Sequence, residues 1–276
     1  DGSPLRRLPG RQVDDLRTPS GAVVDELFVN EGLLPGGTRV CANGDTVSRP
    51  IVVREPAAAF LDALASALAE RHIGLDGTAD AAVALPDSEL VPLFELRSPP
   101  LSAILARMAK PSQNQIAEIL FKTLALEKTG VGRADSARRV VERQLLAWGV
   151  EPDGFAVRDG SGLSRHDYVT PETIARVLDV MRRGPHFQVW YDALPIAGVD
   201  GTIADRMKGT PAANNVHAKT GTVDKARSLS GYVTTAGGRV LIFSFLCNNF
   251  TVPNREVERV QDAILVRLAS AATAVR

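Results

Sequence analysis

Apolar residues change rhythm along this chain, and the changes mark out its elements. From Val23 to Val53, short apolar runs alternate with the turn signals Pro35-Gly36-Gly37 and Asn43-Gly44, a pattern of small β-structure. From Glu55 to Arg71 the spacing is helical, with Phe60, Leu61, Leu64 and Leu68 on one face and a stop at Gly74. A second Pro-containing stretch, Leu85 to Leu96, leads into Ser98-Pro99-Pro100, where Ser98 is an expected N-cap. Leu101, Ile104, Leu105 and Met108 then form a helical stripe that Pro111 ends. Ile116, Ile119, Leu120 and Leu124 define the next helix, which stops near Gly130, and a further helix runs from about Asp135 to Trp148.

The second half is punctuated as clearly. Val157 to Ser164 reads as loop, and Thr170-Pro171-Glu172-Thr173 opens a helix carrying Ile174, Val177, Leu178 and Met181. Gly184-Pro185 ends it. The last third reads as two strands, a turn at Ala236-Gly237-Gly238, and a strand from Arg239 to Cys247. A final helix, from about Asn254 to Ser270, is expected to turn Val257, Val260, Ile264 and Leu268 inward. No internal repeat and no low-complexity segment occurs.

Composition narrows the function classes. A chain of 276 residues with 45% hydrophobic and 23% charged positions has the make-up of a globular protein. Lys+Arg 32 balances Asp+Glu 32, so no broad basic surface for nucleic acid is expected. The wholly apolar stretches are far shorter than the roughly 20 residues of a membrane helix. The polar start Asp1-Gly2-Ser3-Pro4, without Met or an apolar leader, is that expected of a processed or truncated product. Cys41 and Cys247 are expected to be free buried thiols, and a disulfide between them stays open. No metal-ligand spacing occurs and the four histidines are scattered, so neither metal nor cofactor is expected.

Two triplets carry the chemistry. Lys219-Thr220-Gly221, in His217-Ala218-Lys219-Thr220-Gly221-Thr222, is preceded by Ser112-Gln113-Asn114, in the break between two predicted helices. Ser-x-Asn followed by Lys-Thr-Gly is two thirds of the site of the penicillin-interacting serine acyl-transferases. Lys219, Thr220 and Thr222 would meet a substrate carboxylate with a cation and hydroxyls, and Gly221 would let the substrate backbone approach. The backbone N–H of Thr222 is a candidate oxyanion donor. Ser112 would relay a proton and the Asn114 amide would hold the peptide. Ser112 and Asn114 also suit the start of a helix, and the two roles can coexist. The remaining third, Ser-x-x-Lys, is absent. Three positions before the six lysines stand Arg107, Ile119, Ala125, Asp205, Val216 and Thr222, none of them serine. Asp159-Gly160-Ser161-Gly162-Leu163-Ser164 lacks the spacing of a nucleophile elbow and reads as a structural Gly-rich loop beside the cleft. Asp200-Gly201-Thr202 reads as a turn, with lining of the site as its alternative role.

At these residues the chain resembles the class C low-molecular-mass penicillin-binding proteins, the D-alanyl-D-alanine carboxypeptidase/endopeptidases. Met108-Ala109-Lys110-Pro111-Ser112-Gln113-Asn114, Asp159 to Arg165, Leu194 to Thr202 and Ala218 to Thr222 follow in that family's order. The resemblance implies an α+β, serine β-lactamase/DD-peptidase-like fold: an antiparallel sheet flanked by helices, plus a helical subdomain. Residues 1–97 would be an accessory segment, the tail of the family's insertion, and 98–276 the C-terminal part of the penicillin-binding domain. It further implies peptidoglycan stem peptides as substrates, β-lactams as inhibitors, and a periplasmic or extracytoplasmic setting. Two explanations of the missing motif stay open: it lies in an N-terminal part outside this chain, or it was lost and the chain is a non-catalytic binding module.

Overall fold

The computed structural model describes residues 33–34, 38–40, 46–48, 51–53, 55–77, 95 and 97–272. The chain divides into two compact units, Asp1–Ser98 with Leu163–Arg165, and Pro99–Gly162 with His166–Arg276. In the first, the predicted small β-structure is two short antiparallel pairs: β1 (Leu33–Leu34) with β4 (Ile51–Val52), and β2 (Thr38–Val40) with β3 (Thr46–Ser48). The helix α1 (Pro56–Ala69) follows, opened by its proline. Of the residues expected on one face, Leu64 is exposed, whereas Phe60, Leu61 and Leu68 are half-buried. The stretch Leu85–Phe94 and Cys41 lie outside the described residues.

The second unit begins with α2 (Leu101–Ala109), α3 (Asn114–Thr129) and α4 (Ala134–Ala147). Ser98 does not cap α2; Pro100 precedes its first turn and no side chain caps it. The inward face of α3 differs from the one its apolar spacing predicts. Gln115, Glu118, Phe121 and Ala125 are buried, while Ile119 and Leu124 are exposed. A hairpin of β5 (Phe155–Ala156) and β6 (Tyr168–Val169) precedes α5 (Pro171–Arg183), whose predicted cap is present: Thr170 Oγ1 accepts the Thr173 N–H at 3.1 Å. The short helix α6 (Phe187–Ala193) was not legible in the spacing, and Gly201–Ile203 forms one 3-10 turn.

The alternating last third builds an antiparallel sheet of β7 (His217–Val223), β8 (Ala226–Thr234) and β9 (Val240–Asn248), with β8 central. Its register pairs Lys219 with Ser230 and Gly231 with Phe243. Since successive side chains point to opposite faces, Leu229, Val233 and Phe243 share one face and Tyr232 takes the other. The helix α7 (Asn254–Ala269) covers the first face through Leu265 and Ala269. Leu178 of α5 and Leu194 cover the second, where Tyr232 Oη donates to the Leu178 carbonyl at 2.7 Å. Gly231 permits the close approach of β7: a Cβ there would meet Ala218 Cα at 2.7 Å. Helices and an antiparallel sheet thus form the expected α+β arrangement.

In α7 the buried residues are Val257, Gln261, Leu265 and Ala269, and the expected inward Val260 and Ile264 are exposed. Arg206 sets that rotation: its guanidinium donates to Asp262 Oδ1 at 2.6 Å and to Gln261 Oε1 at 3.1 Å. Cys247 is a half-buried free thiol. No helix among the described residues is long and apolar enough to cross a membrane.

Candidate active site

The break between α2 and α3 is a helix C-terminus of Schellman type, with an unusual residue at its turning point. The Gln113 N–H reaches back to the Met108 carbonyl at 2.8 Å and the Ser112 N–H to Ala109 at 3.3 Å. Ser112 therefore occupies the left-handed position, with φ of 61°, where glycine is the usual residue. The capping role open to Ser112 belongs instead to Gln113, whose side-chain oxygen accepts the Gln115 N–H at 2.8 Å. A non-glycine residue held there is strained, and its hydroxyl is left to other partners.

That partner comes from the sheet. Lys219 Nζ donates to Ser112 Oγ at 2.7 Å, across 107 residues of sequence, and to the neighbouring Thr220 carbonyl at 2.9 Å. Lys219 is largely buried, and desolvation of its ammonium brings its pKa down from 10.5 to about 8. Asn114, half-buried, opens α3 two residues from Ser112. Thr220 Oγ1 shares a 2.7 Å hydrogen bond with Thr202 Oγ1, and Thr222 is exposed.

The outer edge of β7 supplies backbone donors. The Ala218 N–H points away from β8 to the Pro195 carbonyl, at 2.9 Å. Donors two and four residues on point to the same side of a strand. The N–H groups of Thr220 and Thr222 therefore face the open edge beyond the short bridge from Ile196 to His217. A Cβ at Gly221 would press on the Ser228 hydroxyl across the β7–β8 pair. His217, just before the triplet, is no candidate base. It stacks on Tyr191 at a centroid distance of 3.8 Å, donates through Nδ1 to the Tyr191 carbonyl at 3.1 Å, and burial lowers its pKa.

Glu118 of α3 explains why that helix turns a charged face inward. Its carboxylate accepts the N–H groups of Ser161 at 3.0 Å and Gly160 at 3.3 Å, holding the Gly-rich loop to α3. A Cβ at Gly160 would meet the Ala117 carbonyl at 2.7 Å, so the loop packs directly on the helix backbone. In the same loop Asp159 accepts the Gly162 N–H at 2.6 Å, and Asp167 accepts the Arg158 N–H at 2.5 Å. Asp167 Oδ2 is buried and finds no hydrogen-bond partner among the described residues, and burial and the neighbouring Asp159 push this carboxyl up to about 7. A raised carboxyl pKa gives stability that is complete below 3.8 and is lost as pH rises through about 7. Asp167→Asn should therefore raise the melting temperature at pH 8 and leave it nearly unchanged at pH 4. An equal change at both pH values would remove titration of Asp167 as the cause.

The structure thus brings Ser112 and Lys219 into contact, with Asn114 two residues beyond Ser112 and Thr220 and Thr222 on the strand that carries Lys219. Sequence reasoning passed over Lys110 and Glu118 and took Asp200-Gly201-Thr202 as a turn, with lining of the site as the alternative. Lys110 Nζ donates to Asp200 Oδ2 at 2.7 Å and to the Leu194 carbonyl at 2.9 Å. Both ionic residues stand in segments already singled out, but nothing in their spacing pairs them. Among the described residues, no three His, Cys, Asp or Glu converge on a metal position.

Comparison with known proteins fits this arrangement. The family model described as "D-Ala-D-Ala carboxypeptidase 3 (S13) family" matches residues 24–271. A D-alanyl-D-alanine carboxypeptidase of Actinomadura sp. (strain R39) is 42% identical over 182 residues, which cover 64% of this chain and 33% of that protein. Penicillin binding protein 4 from Haemophilus influenzae superposes with a TM-score of 0.76 at 21% identity, covering 96% of this chain and 72% of that one. The same Haemophilus protein complexed with a β-lactam superposes with a TM-score of 0.65 at 24% identity, over 91% and 61%. These superpositions show the fold, that of a penicillin-binding protein. The chain spans about a third of the length of the curated relatives it matches.

Proposed function

We propose, from the premise that this chain belongs to the D-Ala-D-Ala carboxypeptidase 3 (S13) family, that it forms the substrate-facing walls of a serine-type carboxypeptidase/endopeptidase site. The complete protein would act on D-alanyl bonds of peptidoglycan stem peptides in an extracytoplasmic compartment, and β-lactams would acylate it. The observation that carries this reading is the 2.7 Å contact between Lys219 Nζ and Ser112 Oγ. It joins the two motifs at one point beside an open strand edge.

The chemistry follows from charge and reach. A serine hydroxyl from a Ser-x-x-Lys segment outside this chain attacks the carbonyl of the penultimate D-alanine, forming an acyl ester. Its proton passes through Ser112 to the leaving amine of the terminal D-alanine, and water then hydrolyses the ester. Lys219, Thr220 and Thr222 receive the terminal carboxylate. The Thr222 N–H stabilises the oxyanion, and the Asn114 amide holds the peptide backbone. No cofactor enters this scheme. Residues 1–97 are the accessory segment and 98–276 the C-terminal part of the penicillin-binding domain.

The nucleophile motif decides between this reading and a non-catalytic module that binds peptidoglycan or a protein partner. The chain of 276 residues, incubated with a fluorescent penicillin and run on a denaturing gel, should carry no covalent label. The reading frame upstream of Asp1 should encode Ser-x-x-Lys, and the polypeptide that includes it should label. A covalent band on the chain alone would move the nucleophile to Ser112 or Thr222. An upstream frame without the motif would favour the binding module.

A further inference from the structure

Ser112 sits in a strained turn, and Lys219 meets it from a strand edge; something must hold the two in register. One loop contacts both the turn that carries Ser112 and the strand that carries Lys219. The segment from Leu194 to Thr202 lies along β7 through the Ala218 N–H to Pro195 carbonyl bond, at 2.9 Å, and the Ile196 to His217 bridge. At its far end it grips the Ser112 turn. Lys110, two residues before Ser112, donates through Nζ to Asp200 Oδ2 at 2.7 Å and to the Leu194 carbonyl at 2.9 Å. The Lys110 carbonyl accepts the Thr202 N–H at 3.0 Å. Asp200 Oδ1 in turn accepts the Ile196 N–H at 2.9 Å, so both of its oxygens are engaged. Gly201 allows the approach: its φ is +62°, and a Cβ there would meet the Lys110 carbonyl at 2.7 Å. The Thr202 hydroxyl completes the link, 2.7 Å from the Thr220 hydroxyl on β7.

We propose that Lys110, Asp200 and Thr202 are positioning residues, a bracket that ties the Ser112 turn to β7 and so sets the Lys219–Ser112 contact. The bracket rests on the acyl-transfer reading of Ser112 and Lys219 given above. It assigns Lys110 a task other than binding substrate, since its ammonium is already shared between a carboxylate and a carbonyl. It also assigns Thr202 the orientation of the Thr220 hydroxyl. The Lys110–Asp200 pair is only partly covered, with 24% and 35% of its side chains exposed, so its direct worth to stability is small. Its effect is on geometry.

The test reads Lys219 itself, in the full 276-residue chain, by NMR of ¹³C-methylated lysines across a pH titration. The charges in and around the bracket are Lys110 and Asp200, with Asp192 and the buried His217 alongside. Removing the Asp200 carboxylate would by charge alone lower the Lys219 midpoint further. If the bracket positions Ser112, Asp200→Asn instead lets Lys219 gain water, and its midpoint rises by about one unit or more towards the ordinary lysine value. Thr202→Val, which changes no charge, raises it in the same direction by less. Lys110→Arg, which keeps a donor on Asp200, leaves the midpoint close to that of the unsubstituted chain. An unchanged or lowered midpoint in a folded Asp200→Asn chain overturns the bracket. Should Asp200→Asn not fold, an unchanged midpoint in Thr202→Val overturns it equally. An ordinary midpoint in the unsubstituted chain would mean that Lys219 is hydrated and not held against Ser112, which also overturns the bracket; the acyl-transfer reading fails separately, on the β-lactam labelling described above.

Discussion

Ser112→Ala in the complete protein should slow acylation by a β-lactam about 10²- to 10⁴-fold, the usual contribution of a positioned proton-transfer group. Ser112→Gly should slow it as much while raising the melting temperature. The pair of variants separates chemistry from architecture because of where Ser112 sits. With φ of 61° at the turning point of a helix C-terminus, it holds a conformation that costs an L-residue roughly 1–2 kcal/mol and glycine very little. Alanine keeps that strain and loses the hydroxyl; glycine loses both. A residue kept only for the turn would be better as glycine. The serine is explained by its hydroxyl, which receives the Lys219 ammonium at 2.7 Å. The measurements are the acylation rate with a chromogenic cephalosporin and the melting temperature of each variant. If Ser112→Gly acylates at the unsubstituted rate, Ser112 is a turn residue and the proton path lies elsewhere.

How much of this was legible in the sequence depends on what kind of signal each element carries. The α5 start was readable because Thr170 and Pro171 act on their immediate neighbours, and the Thr170–Thr173 cap needs no tertiary partner. The β8–β9 pairing was readable because alternation and the Ala236-Gly237-Gly238 turn are local. Apolar spacing points to the wrong faces of α3 and α7 for one shared physical reason. Counting apolar residues assigns Ile119, Leu124, Val260 and Ile264 inward, but Glu118 and Gln261 are buried because each finds a distant polar partner. A buried, satisfied polar residue sets the rotation of a helix as firmly as a leucine, yet carries no periodic signal. Lys110 was hidden in the same way: beside Pro111 it reads as a solvated helix end, and its partner Asp200 lies 90 residues on. The Ser112–Lys219 juxtaposition was legible only through motif order, since no local pattern joins them.

Lys219 carries the second large effect, and its sign can be worked out from burial. An ammonium taken out of water is disfavoured against its neutral form, so its pKa comes down from 10.5 to about 8. Below about pH 8 Lys219 is a cation, able to hold a terminal carboxylate and to donate to Ser112. Above it the charge is lost. In the complete protein, kcat/KM for a D-alanyl peptide should therefore decline as pH rises through about 8, since that ratio reports the free enzyme. A bound carboxylate favours the charged form, so the matching limb in kcat should lie at higher pH. Stability moves the opposite way. A depressed lysine pKa contributes stability that is present above 10.5 and lost as pH falls through about 8, so at neutral pH the fold carries this charge at a cost. Lys219→Met, close in length and uncharged, should raise the melting temperature at pH 7, with the gain vanishing towards pH 10.5. The same substitution should slow acylation by about 10²-fold or more, the scale on which removing one electrostatic donor acts. A kcat/KM that stays level between pH 7 and pH 9 would mean that the Lys219 charge does not hold the carboxylate. A Lys219→Met protein less stable than the original at pH 7 would mean that its two hydrogen bonds outweigh the desolvation of its charge.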